Sequence, residues 1–218
     1  MKRFKNILLV CNFDARPHRA VDRAVSLAKK NGAQLTVFTV VKERSVDARM
    51  VFTHMPLEEL HSRVIDDYRK KVDALAADIG QQGVDVTSRV VTGIPFLEII
   101  RQVLRDKHDL VILASEGKGG VNERLFGATS MHLLRKCPCP VWVVKRAQTR
   151  PYTRILAAVD PSIYDSRRGA INPLILQLAS GMARKEAGEL HIIHVWQMFG
   201  ERYVRSSGMT TQAVQEAK

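Results

Sequence analysis

Cysteine is scarce in this chain, and its placement suits none of the usual cysteine chemistries. Three residues, Cys11, Cys137 and Cys139, are too few for a disulfide framework. One proline separates Cys137 from Cys139, where a metal knuckle needs two residues between its ligands. All three are therefore read as small buried apolar groups rather than as a metal or redox centre. Long hydrophobic runs are also missing, and no stretch approaches the roughly 18 apolar residues of a membrane span. The opening Met1-Lys2-Arg3-Phe4-Lys5 imitates a signal-peptide n-region. The apolar run behind it, Ile7 to Cys11, falls short of the ~7–15 residues of an h-region, so cytoplasmic residence is expected.

Catalytic signatures are lacking as well. The chain has no Gly-x-Ser-x-Gly elbow and no Gly-x4-Gly-Lys-Ser/Thr phosphate loop. Ser115 precedes Glu116-Gly117 but has no identifiable base. Seven histidines occur. His191 and His194 are three apart on an expected strand, which would aim them at opposite faces, unable to share one ion. His54 and His61 flank the start of a helix without carboxylates or cysteines at ligand spacing. Nothing here makes a positive case for hydrolysis, for any other enzymatic activity or for a metal site.

Charge is plentiful and one-sided. The formal net charge is +12 and the sequence pI about 10.0, with 45% hydrophobic residues, as in an ordinary soluble globular protein. A basic surface suits an anionic partner. The basic residues are scattered, however, with only short pairs such as Lys29-Lys30, Lys70-Lys71 and Arg167-Arg168. Aromatics make up 6% of the chain and are not interleaved with them as in RNA-binding sheets. That pattern counts against nucleic acid and leaves a small anionic ligand or simply a solvated basic surface.

Strand and helix periods alternate along the first two thirds of the chain. Asn6–Asn12, Gln34–Val41, Val84–Val91, Leu110–Ser115 and Val141–Val144 read as strands. Between them lie amphipathic helices over Pro17–Lys30, from Pro56 to about Ile79, over Pro95–Lys107 and over Thr129–Lys136. The long second helix repeats apolar residues at Leu57, Leu60, Val64, Tyr68, Val72, Leu75 and Ile79, one continuous face. The helix from Pro95 carries Leu97, Ile100 and Leu104 as its apolar positions. Strands spaced by helices predict an α/β fold, a doubly wound, five-stranded, mostly parallel sheet covered on both faces. Its last strand, Val141-Trp142-Val143-Val144, is an apolar edge that calls for a partner strand.

The pattern then restarts. Asp160 ends a strand 148 residues after Asn12, and Val195 ends one 155 residues after Val40. The seven-residue difference falls around Ser162 to Pro173, where a connection absorbs an insertion cheaply. The reading is one domain over residues 1–147 and an incomplete second copy over 151–218, holding strand, helix, strand and a polar tail.

The segment from Leu110 to Lys145 is the most informative. A strand runs into Ser115-Glu116-Gly117-Lys118-Gly119-Gly120, and Gly127 opens the following helix. Glycines let backbone N–H groups crowd an anion at a helix N-terminus. Together with Asn6–Asn12, Ala20–Ala28, Gly93-Ile94-Pro95 and the stretch from Gly127 through Lys145, this loop resembles the universal stress protein superfamily in its tandem-domain form. The resemblance implies a Gly-x-x-Gly-x9-Gly-Ser/Thr nucleotide loop, onto which Ala114, Gly117, Gly127 and Ala128 fall, with Thr129 and Ser130 following. It further implies an adenine-side aspartate at Asn12, kept as Asp160 in the second copy, a ligand-contacting position at Val40, and edge-to-edge dimerisation through Val141, Trp142, Val143 and Val144.

Two of the four loop positions depart from that pattern. Ala114 adds a methyl where phosphate must come close, and Ala128 lacks a hydroxyl donor, about 1–2 kcal/mol for a bond to a charged phosphate. Glu116 adds a repelling carboxylate, which Lys118 can offset. What the resemblance implies is therefore a homo-oligomeric stress protein that signals or protects through ligand-dependent assembly, with a degenerate site at which ATP binds weakly or not at all. The rivals are an ATP binder with slow hydrolysis and a nucleic-acid-binding module.

Overall fold

The computed structural model of the chain describes residues 3–13, 18–42, 57–114, 123–145, 152–160 and 166–195. They divide into two units, Met1–Thr149 and Arg150–Lys218.

In the first unit, β1 (Asn6–Val10), β2 (Gln34–Val41), β3 (Val86–Thr92), β4 (Leu110–Ala114) and β5 (Val141–Val144) form one sheet in the order β3-β2-β1-β4-β5. Every neighbouring pair is parallel. The crossovers are α1 (His18–Asn31), α2 (Leu57–Gln81), α3 (Pro95–Asp106) and α4 (Glu123–Lys136). Successive strand residues face opposite sides, so a sheet covered on both faces needs unbroken apolar runs. Ile7, Leu8 and Leu9 meet that need, each 0% exposed. On one side Ile7, Leu9, Leu35, Val37 and Ile112 pack against Ala24 and Ala28 of α1 and Val72 and Ile79 of α2. On the other, Leu8, Phe38, Val111 and Leu113 pack against Ile99 and Val103 of α3 and Leu133 of α4. Each fully buried side chain of this size stabilises the fold by about 1.5–3 kcal/mol.

The expected face of α2 is the buried one, with Leu60, Val64, Tyr68, Val72 and Ile79 all inside. The expected face of α3 is not. Leu97 and Leu104 are exposed, while Ile99, Gln102 and Val103 are buried. A polar residue claims the inner face because the Gln102 amide nitrogen bonds the Asp106 carboxylate and its oxygen accepts from Arg105. Beside it, Gln102 Nε2 lies 3.3 Å from His108 Nε2. β3 begins two residues later than expected, at Val86, and α4 begins earlier, at Glu123, with a break at Gly127.

The second unit contains β6 (Arg154–Ala158), α5 (Ser166–Glu186) and β7 (Glu189–Ile193), its two strands paired in parallel. It reproduces the start of the first unit bond for bond. Asn6 pairs with Gln34 and Arg154 with Glu189, matching positions of the two copies. Cys11 N–H donates to Phe38 O at 2.8 Å, as Val159 N–H donates to Ile193 O at 2.9 Å. Ala33 N–H donates to Ala28 O, as Gly188 N–H donates to Ala183 O, each at 3.0 Å. The seven extra residues lie in a helix rather than a loop: α5 has 21 residues and α1 has 14, and the two end at matching positions. Pro173, inside α5, stands where α1 begins at His18, so the inserted turns precede it.

Candidate functional site at the strand ends

The chain winds from β1 outward through β2 to β3, then crosses to the other side of β1 for β4 and β5. Neighbouring β1 and β4 therefore lead to crossovers in opposite directions. In an open parallel sheet this switch leaves a crevice beyond the carboxyl ends of the two strands, where ligands are held. The register sets Val10 beside Leu113, so Asn12, two residues past β1, and Ala114, the last residue of β4, stand at the rim of that crevice. Val40 lies near the end of β2. All three are half-buried, as are Gly127 and Thr129, while Ala128 is exposed.

One contact shapes the floor. Thr39 Oγ1 donates to the carbonyl oxygen of Cys11 at 2.8 Å. Cys11 is 2% exposed, and burial pushes its thiol up to about 12, which keeps it protonated. Thr39 is a residue that alternation alone did not single out. As a buried hydroxyl in an apolar strand, it signalled a specific hydrogen bond.

Gly127 has φ 56° and ψ 160°, a non-helical conformation inside α4. This region is essentially closed to residues with a Cβ. The glycine thus ends the short turn from Glu123 and starts the helix proper, the position at which N–H groups are left without intrahelical partners. Of the hydroxyls that follow Ala128, Ser130 is buried at 1% exposure, leaving Thr129 as the partly exposed one. Gly117, with Ser115, Glu116 and Lys118, lies outside the described residues.

At the matching strand ends of the second unit there is an open cavity of about 410 Å³, lined among others by Asp160, Asn172, Ile193, His194 and Val195. Asp160 holds the place of Asn12. Asn172 fixes its backbone twice, accepting from Asp160 N–H at 3.1 Å and donating to Asp160 O at 2.7 Å. His194 holds the place of Thr39, with Nδ1 3.1 Å from the carbonyl oxygen of Val159. It lies beyond the end of β7, not on the strand as expected, and His191 instead faces Glu189 at 3.3 Å. His61 is half-buried on α2, and His54 lies outside the described residues. Among the described residues no group of three or more His, Cys, Asp or Glu side chains could hold a metal ion, and no helix is long and apolar enough to cross a membrane.

Comparison with known proteins agrees with this geometry. The model of the universal stress protein family matches residues 3–145. Universal stress protein E of Escherichia coli K12 is 26% identical over 195 residues, 88% of this chain and 62% of that protein. Its namesake in Photorhabdus laumondii is 23% identical, over 90% of this chain and 63% of that one. The chain thus spans less than two thirds of the length of these relatives. Among solved structures, a putative universal stress protein from Pseudomonas aeruginosa UCBPP-PA14 superposes with a TM-score of 0.67 at 20% identity, covering 99% of this chain and 70% of that one. A universal stress protein from Archaeoglobus fulgidus gives 0.66 at 20%, covering 99% and 76%.

Proposed function

This chain belongs to the universal stress protein family, and from that premise we propose that it serves the stress response without catalysis, through assembly that responds to a small anionic ligand at a degenerate nucleotide site. The observation that carries the reading is the mixed character of the crevice between β1 and β4. The backbone device survives, since Gly127 keeps a conformation reserved for glycine. The side chains that would exploit it are depleted: Ala114 and Ala128 offer methyls, and Asn12 offers a neutral amide in place of a carboxylate. A weak site of this kind suits sensing of a ligand at high concentration better than tight retention of ATP.

Two features support assembly with a second copy of the chain. β5 is an edge strand of the described sheet. In the second unit α5 covers one face of β6, burying Ile155 and Ala157, while Leu156 on the other face is 62% exposed and Val195 81%. Parallel sheets are ordinarily covered on both faces. The deciding experiment is a native mass spectrum of the full chain with and without added ATP, which reads ligand and subunit number together. A ligand-dependent change in subunit number supports the proposal, and a monomer at every ligand concentration refutes it. The second reading, an ATP binder with slow hydrolysis, draws on the retained Gly127 and would be favoured by micromolar ATP binding.

A further inference from the structure

The turn between α4 and β5 holds a contact that residue spacing did not suggest. The sulfurs of Cys137 and Cys139 lie 3.7 Å apart, van der Waals contact with no atom between them. Both side chains are half-buried, neither sealed in the core as expected nor fully open. The chain bends at Pro138 and Cys139, which brings alternate residues onto the same side of the turn. Two anchors hold the bend: Cys137 N–H donates to Leu133 O at 2.9 Å, closing α4, and Pro140 O accepts from Val111 N–H at 3.0 Å, opening the β4–β5 ladder. Cys11 is distinct in kind, buried in the core on the opposite face of the sheet.

We propose that Cys137 and Cys139 form a reversible redox couple, a dithiol that a small-molecule disulfide converts into an intramolecular Cys137–Cys139 disulfide at the root of the edge strand. Closure moves the sulfurs from 3.7 Å to the bonded distance of about 2.05 Å. The proton balance favours Cys137 as the attacking group. Its thiolate accepts a hydrogen bond from Cys139, which holds Cys137 down to about 7, while the same contact pushes Cys139 up.

The steps balance without any further reactant. The Cys137 thiolate attacks one sulfur of an oxidised glutathione molecule, forming a mixed disulfide and releasing one glutathione thiolate. Cys139 loses its proton to solvent or to that thiolate and attacks Sγ of Cys137. The second glutathione leaves, so two thiols are oxidised and one small disulfide is reduced. A ring closed over a single intervening residue is strained, and strained disulfides are the easily reduced, reversible ones. The couple therefore responds to the surrounding thiol poise and is not a permanent staple.

The test uses the full chain, reduced and then exposed to oxidised glutathione, quenched in acid and weighed, then alkylated under denaturing conditions and weighed again. Weighed before alkylation, the expected product is lighter than the reduced chain by about 2 Da, the mass of the two hydrogens lost in forming the bond. Its alkylatable thiols fall from the three of the sequence to one, that one being Cys11 in the peptide map. Dithiothreitol restores all three. Cys139→Ser and Cys137→Ser should each retain a glutathionyl group on the remaining partner, which the unsubstituted chain sheds. Persistent glutathionylation of the unsubstituted chain, three alkylatable thiols after oxidation, or a bond mapped to Cys11 each overturns the proposal.

Discussion

Thr39 donates its hydroxyl to the carbonyl oxygen of Cys11 at 2.8 Å, tying the end of β2 to the segment that follows β1. Thr39 is 2% exposed, so water cannot replace the bond. Thr39→Val keeps the shape and removes the donor, leaving one lone pair of a carbonyl unsatisfied. The expected cost is about 1–3 kcal/mol, with Thr39→Ser less damaging because it keeps the hydroxyl. Urea unfolding followed through Trp142, in a Trp196→Phe background, reads the loss in the first unit, and equal stability of Thr39→Val and the parent would refute it.

Much of the fold was legible in the sequence, for a physical reason. Strands buried on both faces must be apolar without interruption, and β1 and β4 are. The repeat, too, was legible, because the same backbone bonds recur at Cys11 and Val159. The inner face of α3 was not. Periodicity follows hydrophobicity, and there the buried position goes to Gln102 because polar partners, Asp106 one turn further on and His108 beyond the helix end, satisfy it. Of the candidate site, the glycine conformation at Gly127 could be anticipated from its place before a helix. The meeting of two sulfurs across Pro138 could not, because spacing says nothing of how tightly a turn closes.

Acid should destabilise the first unit through His108. Burial pushes its imidazole below the ordinary 6.5, and Arg105 pushes the same way, while Asp106 and Asp109 pull back. The folded state therefore holds His108 neutral, and the unfolded chain binds the extra proton. Stability tied to this group is fully present above about pH 6.5 and is lost as pH falls from there through the lower folded value. Urea midpoints measured from pH 8 to pH 5 should decline more steeply for the parent than for His108→Gln. Parallel declines would assign the acid sensitivity to other groups.

Gly127→Ala should cost about 1–3 kcal/mol, the usual penalty for a Cβ in this part of backbone space. The damage should be local. Hydrogen exchange is expected to accelerate in the amides of the first turn after Gly127 while those of β1 and β2 stay protected. Unchanged exchange would mean that the loop relaxes into a conformation alanine tolerates.

ATP is expected to bind the full chain with a dissociation constant above about 100 μM, weaker than about −5.5 kcal/mol. Ala128→Ser restores a hydroxyl beside the crevice and should tighten binding about tenfold, the equivalent of 1.4 kcal/mol. Equilibrium binding of labelled ATP checks both values. Micromolar affinity in the parent that disappears in Gly127→Asp would show that the loop works despite its substitutions.

The open side of β5 offers a sharper test of assembly than its side chains do. Val141 and Val143 pack into the same core as Leu8 and Ile99, so a charge placed on either would damage the fold before it reached an interface. The backbone separates the two effects. Pro140 O accepts from Val111 N–H, and N–H and C=O groups alternate sides along a strand. Trp142 and Val144 therefore bond toward β4, and Val143 turns its N–H toward the open side. Proline is tolerated on edge strands because the donor it lacks faces outward there. Val143→Pro should leave the first unit folded by circular dichroism and weaken self-association at least about tenfold, the loss expected when hydrogen bonding across a paired edge is broken. Sedimentation equilibrium over micromolar to hundred-micromolar protein reads the change. A parent that is a dimer, with a Val143→Pro variant that is an equally tight one, would place the interface elsewhere, leaving the exposed Leu156 face of the second unit as the surface to alter next.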